Sequence, residues 1–259
     1  SHTCALASDG VLECWGDDTF GQATPPASGG YMGVSAGETN TCAIGINGDV
    51  ACWGDTTWGI NAPPLGNFVE VSVGKLHACG RLDLGTLACW GIDAASGSLD
   101  YVNQDVFPTG NFSSVSAGKA HTCALGVGGS VDCWGSDSSN QVSDTPLLAG
   151  YTEVAAGGDF GCALDIAGMV SCWGSDSANQ IADTPTTLSN SGLTLGREHA
   201  CVLDSSNIPL CWGDNSASQR TPPGSAGQQY AQLSAAGNLT CGLRADDSVE
   251  CWGDTSANV

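Results

Sequence analysis

Positive charge is nearly absent from this sequence. Six lysines and arginines stand against 27 aspartates and glutamates in 259 residues, a formal net charge of −21. Such a field repels phosphate backbones and anionic bilayers, so nucleic-acid binding is not expected. The acidity serves solubility first, and the capture of cations or basic partners second. Long apolar runs are missing as well: none approaches the ~20 residues of a membrane helix, so membrane insertion is not expected. No signal peptide is visible, and the chain opens in mid-repeat at Ser1-His2-Thr3-Cys4, which suggests a processed or truncated start. Charged residues of both signs make up only 13% of the chain, with Gly, Ser, Thr, Asn and Asp abundant instead. That profile predicts many short strands joined by polar turns.

An unpaired cysteine is also lacking. The fourteen cysteines form seven pairs: Cys4/Cys14, Cys42/Cys52, Cys79/Cys89, Cys123/Cys133, Cys162/Cys172, Cys201/Cys211 and Cys241/Cys251. Every pair encloses nine residues, every second cysteine is followed by Trp-Gly, and successive first cysteines lie 37 to 44 residues apart. A zinc site would need four ligands at clustered spacing, and no companion pair stands near any of these. The even count points instead to disulfides and an oxidising compartment. In the first repeat, pairing Cys4 with Cys14 also pairs Leu6 with Leu12 and leaves Ser8-Asp9-Gly10 at the tip. This is a hairpin whose Gly10 is the natural left-handed residue. Directly opposed residues on antiparallel strands lie within disulfide reach.

In the repeat that begins at Tyr31, Val34-Ser35-Ala36-Gly37 reads as one strand, Thr41–Ile44 as a second and Val50–Trp53 as a third. A polar stretch with Pro63-Pro64 follows. Proline assigns that fourth segment to the outer, least regular position. The third repeat is the longest, with its insert around Ser96–Gln104. A unit of three or four short strands cannot bury both faces alone, so neighbours must stack. The fold class is therefore all-β: one domain over residues 1–259, a seven-bladed β-propeller of ~39-residue repeats with one hairpin disulfide per blade. The chain starts after the first strand of repeat one and ends soon after the third strand of repeat seven, so the seventh blade is expected to be incomplete. The repeated tryptophan is expected to pack between adjacent blades.

The motif Val-Ser-Ala-Gly-x-x-His-Thr-Cys-Ala-Leu, as at 115–125, and Gly-x-Val-x-Cys-Trp-Gly-Asp, as at 48–55, resemble the repeat of the regulator of chromosome condensation family of seven-bladed propellers. The pattern is also similar to the propeller-type β-lactamase inhibitor proteins and to bacterial secreted proteins built on this repeat. The WD-type propeller matches less well. Family repeats need no cysteines, so a pair in each blade implies an extracellular branch. The founder's nucleotide exchange on a small GTPase and its chromatin binding do not fit a disulfide-rich chain of charge −21.

No catalytic constellation stands out. His2, His77, His121 and His199 share one repeat position, two before the first cysteine. Asn40, Phe160 and Leu239 fill that slot elsewhere, so the histidines read as structural. Acidic turns follow Trp-Gly, including Asp17, Asp18, Asp55, Asp93, Asp137, Asp176, Asp214 and Asp254. They lack the density of an EF-hand, and such residues commonly bond their own backbone. No cofactor is expected, and calcium is the one ion these turns could supply with oxygens. After the Ala-Gly strand end, Lys75, Lys119 and Arg197 fall in one phase with Glu38 and with the Asp159-Phe160 turn, which suggests a small basic cluster at the channel mouth. By resemblance to the inhibitor propellers, that face grips the partner: Glu38, Lys75, Lys119, Asp159, Phe160 and Arg197. Phe20 and Trp58 join Phe160 as candidate aromatic anchors, and Trp58 is the one tryptophan outside the motif. Asn111-Phe-Ser and Asn238-Leu-Thr are glycosylation sequons. The expected function is a secreted or cell-surface, non-enzymatic module that binds a protein or glycan. The alternative is a structural subunit of an extracellular filament, fibre or adhesin that joins neighbouring copies. An enzyme comes third.

Overall fold

The computed structural model describes residues 2–26, 30–91, 108–187, 189–224 and 227–256. The third-repeat insert and Asp93 lie outside them. The described chain is all strand and turn, in seven sheets. The first pairs β1 (His2–Leu6) with β2 (Leu12–Gly16). The second contains β3 (Tyr31–Ala36), β4 (Asn40–Gly45) and β5 (Val50–Gly54), and the third β6 (Phe68–Val73), β7 (His77–Leu82) and β8 (Leu87–Gly91). The fourth is β9 (Phe112–Ala117), β10 (His121–Gly126) and β11 (Val131–Gly135), and the fifth β12 (Tyr151–Ala156), β13 (Phe160–Asp165) and β14 (Val170–Gly174). The sixth is β15 (Ser189–Leu195), β16 (His199–Asp204) and β17 (Pro209–Gly213), and the seventh β18 (Gln232–Ala236), β19 (Leu239–Leu243) and β20 (Val249–Gly253). In every three-stranded blade the middle strand carries the first cysteine, and all pairings are antiparallel.

The seven-bladed propeller expected from the repeats is the observed fold, with one corrected detail. The shortened sheet is the first, with two strands, because the chain enters at a middle strand; the seventh has the same three strands as its neighbours. No fourth strand is present among the described residues. The segments after Trp-Gly run as successive turns.

The hairpin register matches the cysteine spacing. Cys4 opposes Cys14 and Leu6 opposes Leu12. All seven expected disulfides form: Cys4–Cys14, Cys42–Cys52, Cys79–Cys89, Cys123–Cys133, Cys162–Cys172, Cys201–Cys211 and Cys241–Cys251, with Cα atoms 4.0 to 4.1 Å apart. That is the close approach of cross-strand pairs that share no ladder bonds. Each closes a short loop and contributes roughly 2.5–3 kcal/mol in the chain-entropy account. The two members of a bridge differ in burial. Cys42, Cys79, Cys123, Cys162 and Cys201 on the middle strands are fully buried. Their outer-strand partners Cys52, Cys89, Cys133, Cys172 and Cys211 are only partly buried, as is Cys251 in the seventh blade. The bridge thus ties the less covered strand of each blade to its core. None of the fourteen is a ligand or a reactive thiol, since no free cysteine remains.

Gly10 turns the first tip with φ at +84°. Asn207 and Asp247 take the same left-handed role in blades six and seven, as Asn and Asp do more readily than other side chains.

The blades are coupled by motif residues. Ser35 Oγ accepts from Val73 N at 3.0 Å, Ser72 Oγ from Ala117 N at 2.9 Å, Ser116 Oγ from Ala156 N at 3.0 Å and Thr194 Oγ1 from Ala235 N at 2.8 Å. Each of these inner strands thus holds the next one through a hydroxyl. The tryptophans couple the outer parts of the blades. Trp53, Trp173, Trp212 and Trp252 donate to the carbonyls of Gln22, Gln141, Gln180 and Gln219 in the preceding blade, and Trp90 donates to Ile60. Their rings also cover the preceding disulfide: Trp173 clusters with Cys123 and Cys133, and Trp252 with Cys201 and Cys211. The inter-blade packing expected of the tryptophan and a plug against the disulfide are one contact. Thr41, Thr122 and Thr3 lie 3.7 to 3.9 Å from the sulfurs of Cys4, Cys79 and Cys241. The Thr3–Cys241 contact spans 238 residues and closes blade seven onto blade one.

The propeller has two ends. The turns between inner and middle strands and the turns after Trp-Gly share one, here the loop face. The tips between middle and outer strands occupy the other, the hairpin face.

Candidate binding face

At the loop face the inner strands converge, and backbone packs directly on backbone. A Cβ on Gly74 would lie 2.2 Å from the Gly118 carbonyl oxygen, and one on Gly37 would lie 2.5 Å from that of Gly74. Only glycine tolerates such an approach. The next residues continue the ring: Lys75 N, Lys119 N and Arg197 N donate to the carbonyls of Gly118, Gly157 and Gly237. Lys75, Lys119 and Arg197 do share one rim.

The charges there are not a basic cluster. Lys75 Nζ lies 2.8 Å from Glu38 on the preceding blade, and Lys119 Nζ lies 3.1 Å from Asp159 on the following one. Arg197 is exposed and has Glu198 beside it in sequence. Three cations among carboxylates leave a mixed rim without a positive field. The pairs are half-exposed, so each contributes at most about 1 kcal/mol.

Phe160 is not on this surface. It is fully buried, packed with Leu195, Ala200 and Trp212 of blade six. It fills the histidine slot of blade five, and the phenyl ring takes the space between blades that the imidazole takes elsewhere. Trp58 and Phe20 are exposed, at 36% and 51%. They occupy the same position, five after the motif tryptophan, on adjacent blades.

The histidines are inter-blade links. His2, His77 and His199 place Nε2 at 2.6, 2.6 and 2.8 Å from the hydroxyls of Thr41, Thr122 and Thr240 on the next blade. His121 faces Gly161 at the corresponding position, which carries no hydroxyl. Burial depresses all four below the ordinary 6.5, His77 to about 3 and His2, His121 and His199 to about 4. They are neutral near pH 7.

The acidic turns bond their own backbone. Asp17, Asp55, Asp214 and Asp254 accept from the amide two residues on, and Asp18, Asp137 and Asp176 from amides five or six residues on. The hydroxyl and amide of Thr19 hold Asp17 below the usual carboxylate range, and those of Ser256 do the same for Asp254. Among the described residues no group of three His, Cys, Asp or Glu is arranged to hold a metal. Asn111 is exposed, whereas the Thr240 of the second sequon is buried and bonded to the Gln219 carbonyl.

A buried glutamine was not recognised in the sequence. Gln22, Gln141, Gln180 and Gln219 stand seven after the motif tryptophan, and each Oε1 accepts from the amide two residues earlier. This fixes the turn whose carbonyl receives the next blade's indole. The constant spacing from Trp-Gly was the available signal.

The profile of the Regulator of chromosome condensation (RCC1) repeat matches residues 1–22, 112–141 and 151–180. A sequence comparison with curated proteins finds no match. Among solved structures, the ectodomain of the receptor kinase CR4 from Physcomitrella patens has a TM-score of 0.80 at 24% identity over 97% of this chain and 70% of that one. The ectodomain of the Arabidopsis thaliana receptor kinase ACR4 gives 0.79 at 24% identity, over 97% and 92%. Yeast RCC1 (Prp20) bound to Kap60 gives 0.74 at 14% identity, over 88% and 71%. At these identities the likeness is one of fold. Three of the seven blades thus carry the RCC1 repeat, and the chain as a whole has the fold of the RCC1-like propellers.

Proposed function

We propose that this propeller is a non-enzymatic binding module of a secreted or cell-surface protein, engaging a protein or glycan partner through its loop face. The observation that carries the reading is a rigid, seven-disulfide ring whose motif residues are committed to inter-blade bonds, while the rim carries Glu38, Lys75, Lys119, Asp159 and Arg197 beside the exposed Trp58 and Phe20. Disulfides in every blade support an oxidising compartment. Plant receptor-kinase ectodomains share this fold, as does a yeast protein crystallised with Kap60. Exposed aromatics on a rigid frame are the usual anchors of such contacts.

The test is a screen of the oxidised protein against a glycan array and a panel of displayed extracellular domains, repeated with Trp58→Ala/Phe20→Ala. A loop-face partner should lose binding by about ten-fold or more in the variant. Hits that the variant retains in full would remove these aromatics from the site. The rival reading, a building block of an extracellular filament, fibre or adhesin, requires self-association, which sedimentation of the native protein measures directly.

A further inference from the structure

The most exposed apolar side chains of the molecule lie on the face opposite the one just described. On four consecutive blades the hairpin tip presents one of them: Ile46, Leu84, Val127 and Ile166, each between 71% and 85% exposed. Three more lie in the segments that lead into the inner strands of blades three and five, Leu65 at 103%, Leu147 at 100% and Leu148 at 76%. These segments are tied to the tips. Phe68 N donates to Gly48 O beside Ile46, Gly150 N to Gly129 O beside Val127, and Ile166 N to Gly150 O. Among the described residues no other large apolar side chain exceeds 52%. The tips of the remaining blades are Ser8-Asp9-Gly10, Ser205-Ser206-Asn207 and Ala245-Asp246-Asp247. Half of the hairpin face is therefore an apolar arc and the other half is polar.

Nothing in the fold requires this arc: the position of Ile46, Val127 and Ile166, four after the first cysteine, faces water and holds Ser8, Asp83, Ser205 and Ala245 in the other blades, with Leu84 one residue further along its tip. Exposed large apolar residues repeated across consecutive, backbone-linked blades of one face point to a docking surface. The charges select the occupant. The tips of the arc carry Asp49, Asp83 and Asp165, and the cations nearest this face, Arg81 and Arg244, are tied to Glu70 and Glu250. A cavity of about 260 Å³ opens at the blade-two end, lined by Tyr31, Ile46 and Asp49 among others. It has room for an apolar side chain, with a carboxylate beside it for a cation. An anionic bilayer or a second copy of this chain would bring negative charge against these carboxylates.

We propose that the apolar arc of blades two to five docks a basic, amphipathic polypeptide segment, with its apolar side chains on Ile46, Leu84, Val127 and Ile166 and its cations beside Asp49, Asp83 and Asp165. This face is distinct from the loop face, and the two readings stand or fall separately.

The probes are three fluorescent synthetic peptides of equal length: a Leu/Lys amphipathic peptide, a Ser/Lys peptide of the same charge and a Leu/Glu peptide. Binding to the native, oxidised protein is followed by anisotropy at physiological salt. The Leu/Lys peptide should bind about ten-fold or more tighter than either control, and Ile46→Ser/Val127→Ser/Ile166→Ser should abolish that margin while Trp58→Ala leaves it intact. Should the triple variant lose its near-UV circular dichroism, Leu147→Ser/Leu148→Ser, outside the hairpins, replaces it with the same expected loss. Equal binding of the Ser/Lys and Leu/Lys peptides would reduce the effect to bulk charge and overturn the proposal. Arc-dependent dimerisation in sedimentation, or arc-dependent partition onto neutral phosphatidylcholine vesicles, in place of peptide binding would overturn it too.

Discussion

The seam between blades three and four and the seam between blades four and five use one frame with different contents. In the first, His77 meets Thr122 at 2.6 Å, and the same hydroxyl lies 3.7 Å from the sulfur of Cys79. In the second, Gly161 fills the threonine position across from His121, and the Trp173 ring stands so close to it that a Cβ would lie 2.7 Å away. The rest of the ring follows the same logic. Histidine faces threonine at His2–Thr41 and His199–Thr240, whereas Asn40 and Phe160 face Ala78 and Ala200. Three of the four histidines thus meet a hydroxyl across the seam, whereas His121 meets none and Leu239 stands opposite the hydroxyl-bearing Thr3. The seam position is always filled, and what fills it decides whether the blades are joined there by a hydrogen bond or by packing alone.

The largest break in this frame is Gly74→Ala. It forces a methyl into the Gly118 carbonyl, which no rotamer relieves, and about 3 kcal/mol or more should be lost in urea unfolding. A cost under about 1 kcal/mol would mean that the inner ring is loosely packed. Phe160→Ala should follow at about 3–5 kcal/mol, since it empties a fully buried site in the core shared by blades five and six. Phe160→His should also lose stability, because it exchanges a ring packed on Leu195, Ala200 and Trp212 for a buried imidazole, and a variant that matched the wild type would refute that packing argument.

Acid comes next. The four histidines have folded pKa values of about 3 to 4, below the ordinary 6.5, so the unfolded chain binds protons more readily. Their contribution is complete above pH 6.5 and declines as pH falls toward 4, by roughly 2 kcal/mol per histidine at pH 5. Urea midpoints at pH 7 and pH 5 measure it, and equal midpoints would refute the burial argument.

Thr122→Val strands the His77 nitrogen and should cost about 1–3 kcal/mol. His121→Leu, which gives up no hydroxyl partner, should cost clearly less than His77→Leu, and the reverse order would contradict the distinction between the seams. The smallest effect belongs to the rim. Glu38→Gln should change stability by less than about 1 kcal/mol, with a difference that fades in high salt.

The cysteine pairs and Trp-Gly made blade number, hairpin register and disulfide pairing readable from the chain, because each depends on spacing along one repeat. What escaped depends on distances between repeats. Phe160 sits in a turn phase that suggested an exposed anchor, yet its neighbours are Leu195 and Ala200, almost forty residues on. Lys75 and Lys119 looked like a positive cluster because their phase was visible while their partners Glu38 and Asp159 lie on other blades. The apolar tips stayed unnoticed because Ile46, Leu84, Val127 and Ile166 form a set only once the blades stand side by side.

The serine hydroxyls of the inner strands receive main-chain amides of the next blade, and every residue except proline carries such an amide. They therefore bind any neighbour, whatever its side chains. The histidine–threonine bond joins two side chains and forms only where a histidine repeat precedes a threonine repeat. A duplicated blade that carries the hydroxyl, as blade five with Ala155 does not, would keep the first linkage wherever it was inserted, while the second would form in some orders of repeats and be missing in others. The ring is a set of interchangeable units whose sequence of neighbours is nonetheless written into its seams.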